Sequence, residues 1–360
     1  MKPHLQNNLD NPEVIAGLDS SNCLESIKYF PRQVKTSWYE SQKLDFSFDN
    51  NQIQNIFFCG MGGSAYPGRI VKSLFKDKLA IPFEIVDGYF LPAAATQKSL
   101  IICVSYSGNT QETLSCADQA LLRNLPVLAI TGGGELAKLF ASKRKSVYVF
   151  TDKLNPSRQP RLGQGYLISS FLCLLAKLNL IALKDKDIEN LQKNLSDGNK
   201  RLEDSIETSK NQAKKLAIAF SAKIVNLVAS EFLEGAVHAV RNPLNETGKH
   251  FAQYSIIPEL NHHLLEGLKF PGSLADTLLF AFINSRFYSE KISRRISLTQ
   301  EVVRQNGIET LIIDLTADSS FEQVFELIQL MTYVSFYLAI YHNVDPAPVP
   351  WVDYFKRRLL

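Results

Sequence analysis

The sequence predicts an α/β protein made of two domains, each a parallel sheet flanked by helices. Three observations carry this. Short apolar runs alternate with helix-length segments over about residues 55–150 and again over about 224–341, the pattern of strands joined through helical crossovers. Two of the runs, 56–59 and 100–104, end in small and hydroxyl residues that lead straight into helical spacing. A charge-rich stretch, 185–215, separates the two alternating regions. The expected organisation is an N-terminal helical segment (1–45), a first α/β domain (46–184), a linking helix (185–215) and a second α/β domain with a helical tail (216–360).

In the N-terminal segment Leu24, Ile27 and Phe30 recur at intervals of three, so a first helical piece ends near Phe30. A second starts at Pro31, which suits a first helical position, and carries Val34 and Trp38 on one face. Both pieces are expected to pack against the first domain. That domain has strands at 56–59, 83–86, 100–104, 127–130 and 146–150, helices at 66–75 and 114–122, and a closing apolar helix at 166–178. The stretch 185–215 has few apolar positions and reads as an exposed helix. The second domain has strands at 224–228, 278–284 and 311–315, with helices near 231–240, 288–305 and 321–341. Two similar halves suggest a pseudo-repeat, without a residue-level repeat.

Composition bounds the partners. Of 360 residues 45% are hydrophobic and 21% charged, as in a soluble globular protein. Lys and Arg number 39 against 36 Asp and Glu, a net charge of +3 that makes no case for nucleic-acid binding. The five cysteines contain no Cys-x-x-Cys pair, and Cys59 and Cys103 lie in apolar strand patterns, which points to a reduced, cytoplasmic setting. Residues 1–12 lack the apolar core of a signal peptide, and no uninterrupted apolar run approaches the ~18 residues of a membrane span. The nearest, 167–180, reads as a buried helix.

The chemistry begins at Ser105-Tyr106-Ser107-Gly108-Asn109-Thr110, at a strand-to-helix turn. Such a turn presents backbone N–H groups and the positive end of a helix dipole, so a phosphate or other anion is its natural guest. Ser105, Ser107 and Thr110 add side-chain donors, and Gly108 allows close approach. The plainer alternative is that Ser107, Asn109 and Thr110 only cap the helix. Gly60-Met61-Gly62-Gly63-Ser64-Ala65 is a second such turn, only loosely like a dinucleotide-binding fingerprint because Ala65 stands at the third glycine. Two such turns strengthen the anion reading, since neighbouring strand ends converge on one crevice. Thr131-Gly132-Gly133-Gly134 reads as a turn that needs positive φ.

Arg158 reads as surface, whereas Arg161, beside the strand ends, would need an anionic partner if buried. In the second domain Glu246 has hydrogen-bonding neighbours, Asn245 and Thr247, and exposure is the default for any single Glu. His262, near a helix start, is more often structural than catalytic, and His263 reads as surface.

Taken together, Gly60-Met61-Gly62-Gly63-Ser64, Ser105 to Thr110, Pro160-Arg161, Asn245-Glu246, Pro258-Glu259-Leu260-Asn261-His262 and Val344-Asp345-Pro346-Ala347-Pro348-Val349 resemble the bifunctional phosphoglucose/phosphomannose isomerase family, built of two sugar isomerase (SIS) domains. The match runs over about residues 50–360 with the motifs in the family's order. The resemblance implies interconversion of glucose 6-phosphate and mannose 6-phosphate with fructose 6-phosphate through a cis-enediolate. It implies that Glu246 carries the proton between C1 and C2, that His262 opens the ring, that Arg161 stabilises the enediolate and that Lys356 assists at the ring oxygen. For Lys356 the alternative is a basic helix end complementing the dipole. Ser64, Ser105, Ser107 and Thr110 would hold the phosphate, with Gly62 and Gly63 lining the pocket.

The resemblance implies no cofactor, and the sequence shows no cluster with metal-ligand spacing. The family is expected to make room for mannose with a small hydroxyl residue near the C-terminus; the segment 345–349 offers Ala347 and no threonine. A homodimer is implied, and the helix at 321–341 is core or in part a dimer face. Two other readings stay open. One is a non-catalytic SIS-type sugar-phosphate sensor, which the presence of both Glu246 and His262 disfavours. The other is an aminosugar-phosphate isomerase, whose glutaminase domain has an N-terminal cysteine that Met1-Lys2-Pro3 lacks.

Overall fold

The computed structural model describes residues 8–359. The chain divides into two units: Tyr29–Asn194, and the segment ending at Lys28 together with that beginning at Leu195. Two short helices, α1 (Pro12–Leu18) and α2 (Cys23–Lys28), precede α3 (Phe30–Ser41), where Pro31 lies in the first turn and Val34 and Trp38 are buried.

The first sheet is formed by β1 (Asn55–Cys59), then α4 (Tyr66–Leu74), β2 (Phe83–Val86), β3 (Ser99–Ser105), α5 (Gln111–Leu122), β4 (Val127–Thr131), α6 (Gly134–Ser142) and β5 (Ser146–Val149), with α7 (Gln164–Lys177) closing the unit. All pairings are parallel, in the order β2-β1-β3-β4-β5. β3 and β4 are buried throughout, which is why they read as unbroken apolar runs. The order reverses between β1 and β3, and at such a switch point the carboxyl ends of the strands open a crevice. α3 lies against α7: Ser37 Oγ donates to the Tyr166 carbonyl at 2.6 Å and Ser169 Oγ to that of Val34 at 2.7 Å.

Then follow α8 (Asp185–Leu202), α9 (Gln212–Phe220), β6 (Ile224–Ser230), α10 (Glu234–Glu246), β7 (Ala252–Ile257), α11 (Leu264–Gly267), α12 (Leu274–Thr277), β8 (Leu278–Asn284), α13 (Glu290–Gln305), β9 (Glu309–Asp314), α14 (Ser320–Tyr341) and α15 (Pro350–Leu359). The second sheet, β7-β6-β8-β9, is also all parallel. Counted from its own first strand it repeats the order 2-1-3-4 of the first sheet, so the pseudo-repeat exists in topology.

Four differences from the sequence reading have physical causes. β7 was not expected: it is an edge strand with half-buried Tyr254, Ser255 and Ile256, too polar to stand out as an apolar run. The stretch 185–215 holds two helices, because Asn211 caps α9 by accepting from the N–H groups of Ala213 and Lys214. α8 is also amphipathic rather than simply exposed, with Ile188, Leu191, Leu195 and Leu202 buried along one face at intervals of three, four and seven residues. Finally, α3 alone meets the expectation for the N-terminal helices. α1 and α2 contact α14 instead, and the Lys28 ammonium pairs with Asp204 at 2.7 Å.

Lys214, with its side chain fully buried, ties Asp10 (2.9 Å) to the carbonyls of Asp204 and Ile206 (both 2.8 Å). α14 is long and apolar enough to cross a membrane, yet 89% of its apolar window is buried, which marks it as a core helix. In contrast, α15 buries none of its described residues and exposes Trp351, Tyr354 and Phe355.

Candidate active site

The turns at the first switch point are locked to each other. Tyr106 donates its backbone N–H to Ser64 Oγ at 3.0 Å, joining the turn after β1 to the turn after β3. Ser105 Oγ accepts from the N–H of Gly108 at 3.0 Å and pairs with Thr110 Oγ1 at 2.8 Å. Ser64 and Ser105 are buried, whereas Ser107 is exposed, its Oγ accepting from the Asn109 N–H at 3.2 Å. Gly108 has φ +72°, and a Cβ there would stand 1.8 Å from the Gly133 carbonyl, so only glycine fits. The 131–134 turn takes positive φ at Gly133 and Gly134, as the sequence indicates, and it also packs on the hydroxyl turn.

Thr110 is the N-cap residue of α5, and no side chain caps this helix. The Asn109 carboxamide turns instead to α6, accepting the Glu135 N–H at 3.0 Å. Plain capping therefore does not account for this motif. The first-turn amides of α5 have no intrahelical acceptor, and the dipole there favours an anion.

Arg161 lies in a short 3-10 turn, Pro160–Leu162, that contacts the Gly62–Ala65 turn. It is 4% exposed and donates through Nη1 to Gln159 Oε1 at 2.8 Å. Buried this way, the guanidinium presents a fixed positive charge beside the glycine turn. Two supports here were not read from the sequence. Asn155 holds the Tyr106 hydroxyl at 2.7 Å, and burial pushes that phenol well above its usual range although the Asn155 bond opposes the shift. Gln164 donates to the Pro160 carbonyl at 3.2 Å beneath Gly63, leaving Oε1 buried with no partner.

In the other unit, Glu246 is the last residue of α10. The Asn245 side chain fastens this helix end to β7, donating to the Ala252 carbonyl at 2.9 Å and accepting its N–H at 3.3 Å. Gly248 lets the next turn pack on α14, since a Cβ would meet the Leu244 carbonyl at 2.7 Å and that of Ser335 at 3.2 Å. His262 ends the turn Glu259–His262 after β7 and is exposed. Asn261 anchors that turn to α13 by donating to Thr299 Oγ1 at 2.7 Å, and His263 pairs with Glu259 at 3.0 Å. Lys356 is exposed on α15. Ala347 is buried, in a turn where Asp345 accepts the Ala347 N–H at 2.8 Å and the Ser20 hydroxyl at 2.6 Å.

The structure thus brings Gly62, Gly63, Ser64, Ser105, Ser107, Thr110 and Arg161 onto neighbouring turns of one unit. It places Glu246, His262 and Lys356 on three separate elements of the other. Among the described residues no three His, Cys, Asp or Glu side chains gather in a way that could hold a metal ion.

The family model described as the SIS domain matches residues 51–141, and that of the bacterial phospho-glucose isomerase C-terminal SIS domain matches 209–359. Fold and matches together define a protein of two sugar isomerase domains. The chain is 30% identical over 338 residues to the bifunctional phosphoglucose/phosphomannose isomerase of Caldicellulosiruptor bescii, covering 93% of this chain and 98% of the relative. It is also 30% identical over 341 residues to the enzyme of that name from Thermoplasma acidophilum, covering 94% and 99%. The chain belongs to the bifunctional phosphoglucose/phosphomannose isomerase family. A solved structure of a hypothetical protein from Thermus thermophilus shares the fold, with a TM-score of 0.73 at 16% identity over 99% of this chain and 94% of that one.

Proposed function

We propose that this protein interconverts glucose 6-phosphate and mannose 6-phosphate with fructose 6-phosphate. The full-length similarity to relatives of that name carries the reading, and the uncapped, hydroxyl-rich helix start at the first switch point supports it as the seat of the phosphate. In the reaction the Glu246 carboxylate removes the C2 proton of the open-chain aldose. The C–H electrons form the C1–C2 double bond, and the carbonyl oxygen takes up the charge. The C2 hydroxyl proton passes to O1, and return of the carbon-bound proton to C1 then leaves a hydroxyl at C1 and the carbonyl at C2. A buried guanidinium such as Arg161 suits the charge of the enediolate. His262 has the imidazole chemistry for opening the ring and Lys356 the cation for its oxygen. Ser64, Ser105, Ser107 and Thr110 hold the phosphate, beside Gly62 and Gly63.

The protein works as a homodimer in the cytoplasm. The exposed aromatic side chains of α15 support the first statement and the five free, buried cysteines the second. The test is turnover of both aldose phosphates by wild type and Glu246→Gln. We expect conversion of both by the wild type and a loss of about 10³-fold in kcat for the variant with sugar phosphate still bound. Binding without conversion by the wild type would favour a sensor instead.

A further inference from the structure

The turn after Glu246 is held by a side chain that carries no motif in the sequence. We propose that Lys249 is a positioning residue for the Glu246 base: its ammonium group clamps the Glu246 carbonyl to the C-terminal segment at Pro346 and so fixes the aim of the Glu246 carboxylate. The proposal rests on the role of Glu246 given above.

The last carbonyls of a helix lack intrahelical donors. At the end of α10 the next backbone N–H groups go further back: Thr247 and Gly248 both donate to the Pro243 carbonyl, at 2.8 and 3.0 Å, and His250 to that of Leu244 at 3.0 Å. The Glu246 carbonyl receives Lys249 Nζ at 2.6 Å. A cation there makes a charge-assisted bond and also faces the negative end of the helix dipole. The same Nζ donates to the Pro346 carbonyl at 3.1 Å, and the segment around Pro346 is itself pinned through Asp345 to Ser20 and Ala347. The clamp therefore joins two ordered parts of the unit rather than a loop to solvent.

The backbone agrees. Lys249 has φ +50°, a region that non-glycine residues enter reluctantly. A lysine on an exposed turn ordinarily leaves its flexible stem and three donors to water. Here the stem is folded back, from an unfavourable backbone conformation, onto two carbonyls. With Asn245 bonded to Ala252 on one side and Gly248 packed on α14 on the other, Lys249 completes the fixing of the helix end that carries Glu246.

The experiment compares wild type, Lys249→Met and Lys249→Arg for kcat and KM with glucose 6-phosphate, and for the isotope effect with substrate deuterated at C2. We expect Lys249→Met to lower kcat about tenfold with KM changed by no more than about twofold, because a misaimed base slows proton transfer without touching the phosphate contacts. The isotope effect rises as that step becomes more limiting, and Lys249→Arg recovers most of the rate. An unchanged kcat overturns the proposal, as does a fall with no change in isotope effect and no recovery by arginine. Should Lys249→Met not fold, Lys249→Gln takes the same readouts. Glu246→Gln runs alongside: full turnover there overturns the reading of Glu246 itself, whereas an inactive Glu246→Gln beside a normal Lys249→Met overturns only the clamp.

Discussion

The two sheets share a strand order and differ in what fills the switch point. At the first, β1 and β3 end in turns whose hydroxyls brace one another, and α5 starts without a side-chain cap. At the second, β6 ends at Ser230, and Glu231, at φ +48°, sends its carboxylate to the Ser289 hydroxyl at 2.6 Å and the Ser289 N–H at 3.1 Å. Ser289 in turn caps α13. Ser230 gives its N–H to the Tyr288 hydroxyl at 3.2 Å, and Ser285 binds Gln323 Oε1 at 2.5 Å. One crevice is edged by bracing hydroxyls and helix-start amides, and the other holds a carboxylate of its own. Topology supplies the place, and side chains decide whether it is open.

The contrast can be broken in several ways. Gly108→Ala should do most, because the added carbon meets the Gly133 carbonyl at 1.8 Å and the required φ is unfavourable. A loss of more than about 3 kcal/mol in urea unfolding is expected, and a variant as stable as wild type would contradict this close packing of the two turns. Next comes a matched pair, Ser105→Ala and Ser285→Ala. Each deletes a buried hydroxyl with two partners and should cost about 1–2 kcal/mol. Only Ser105→Ala should also weaken sugar-phosphate binding, about tenfold by calorimetry, equivalent to ~1.4 kcal/mol. Equal binding losses would erase the distinction between the two crevices.

Glu231→Gly and Glu231→Ala test the filled site. Both lose the bonds to Ser289, but glycine relieves the positive φ, so it should be more stable than alanine by about 1 kcal/mol, with turnover unaffected in either. The smallest effect concerns pH and only the second unit, where His342 Nε2 lies 3.4 Å from His250 Nδ1 in a stacked pair. Burial holds both imidazoles below their usual value; the Lys223 carbonyl opposes this at His250, and the charge of His250 adds to it at His342. Their contribution is therefore complete above about pH 6.5, the unfolded value, and declines as pH falls through the interval below it. A downward drift in Tm below that pH, flattened in His342→Gln, is the expected result.

Much of this was readable because central parallel strands and glycine turns write themselves into consecutive residues. The runs behind β3 and β4 and the need for glycine at 108 and 133–134 are local facts. β7 escaped because an edge strand need not be apolar, and the buried stripe of α8 was hidden by the charges around it. The partners of Asn245, Asn261 and Lys249 are not readable locally either, since Ala252, Thr299 and Pro346 lie 7, 38 and 97 residues away in the chain. Asn109 stands beside the start of α5 in the sequence, but its carboxamide serves α6, which only the packing of two turns reveals.

That diversion of Asn109, with Thr110 occupied by Ser105, has a consequence in mass action. On the proposed phosphate site, an anion would complete the start of α5, which would link binding to folding there. Any ligand bound by the folded state alone raises stability by RT ln(1 + [L]/Kd), about 2.7 kcal/mol at a hundredfold excess over Kd. On that proposed site, the sugar's phosphate would double as a cap of α5, and the protein would be most stable with its substrate bound.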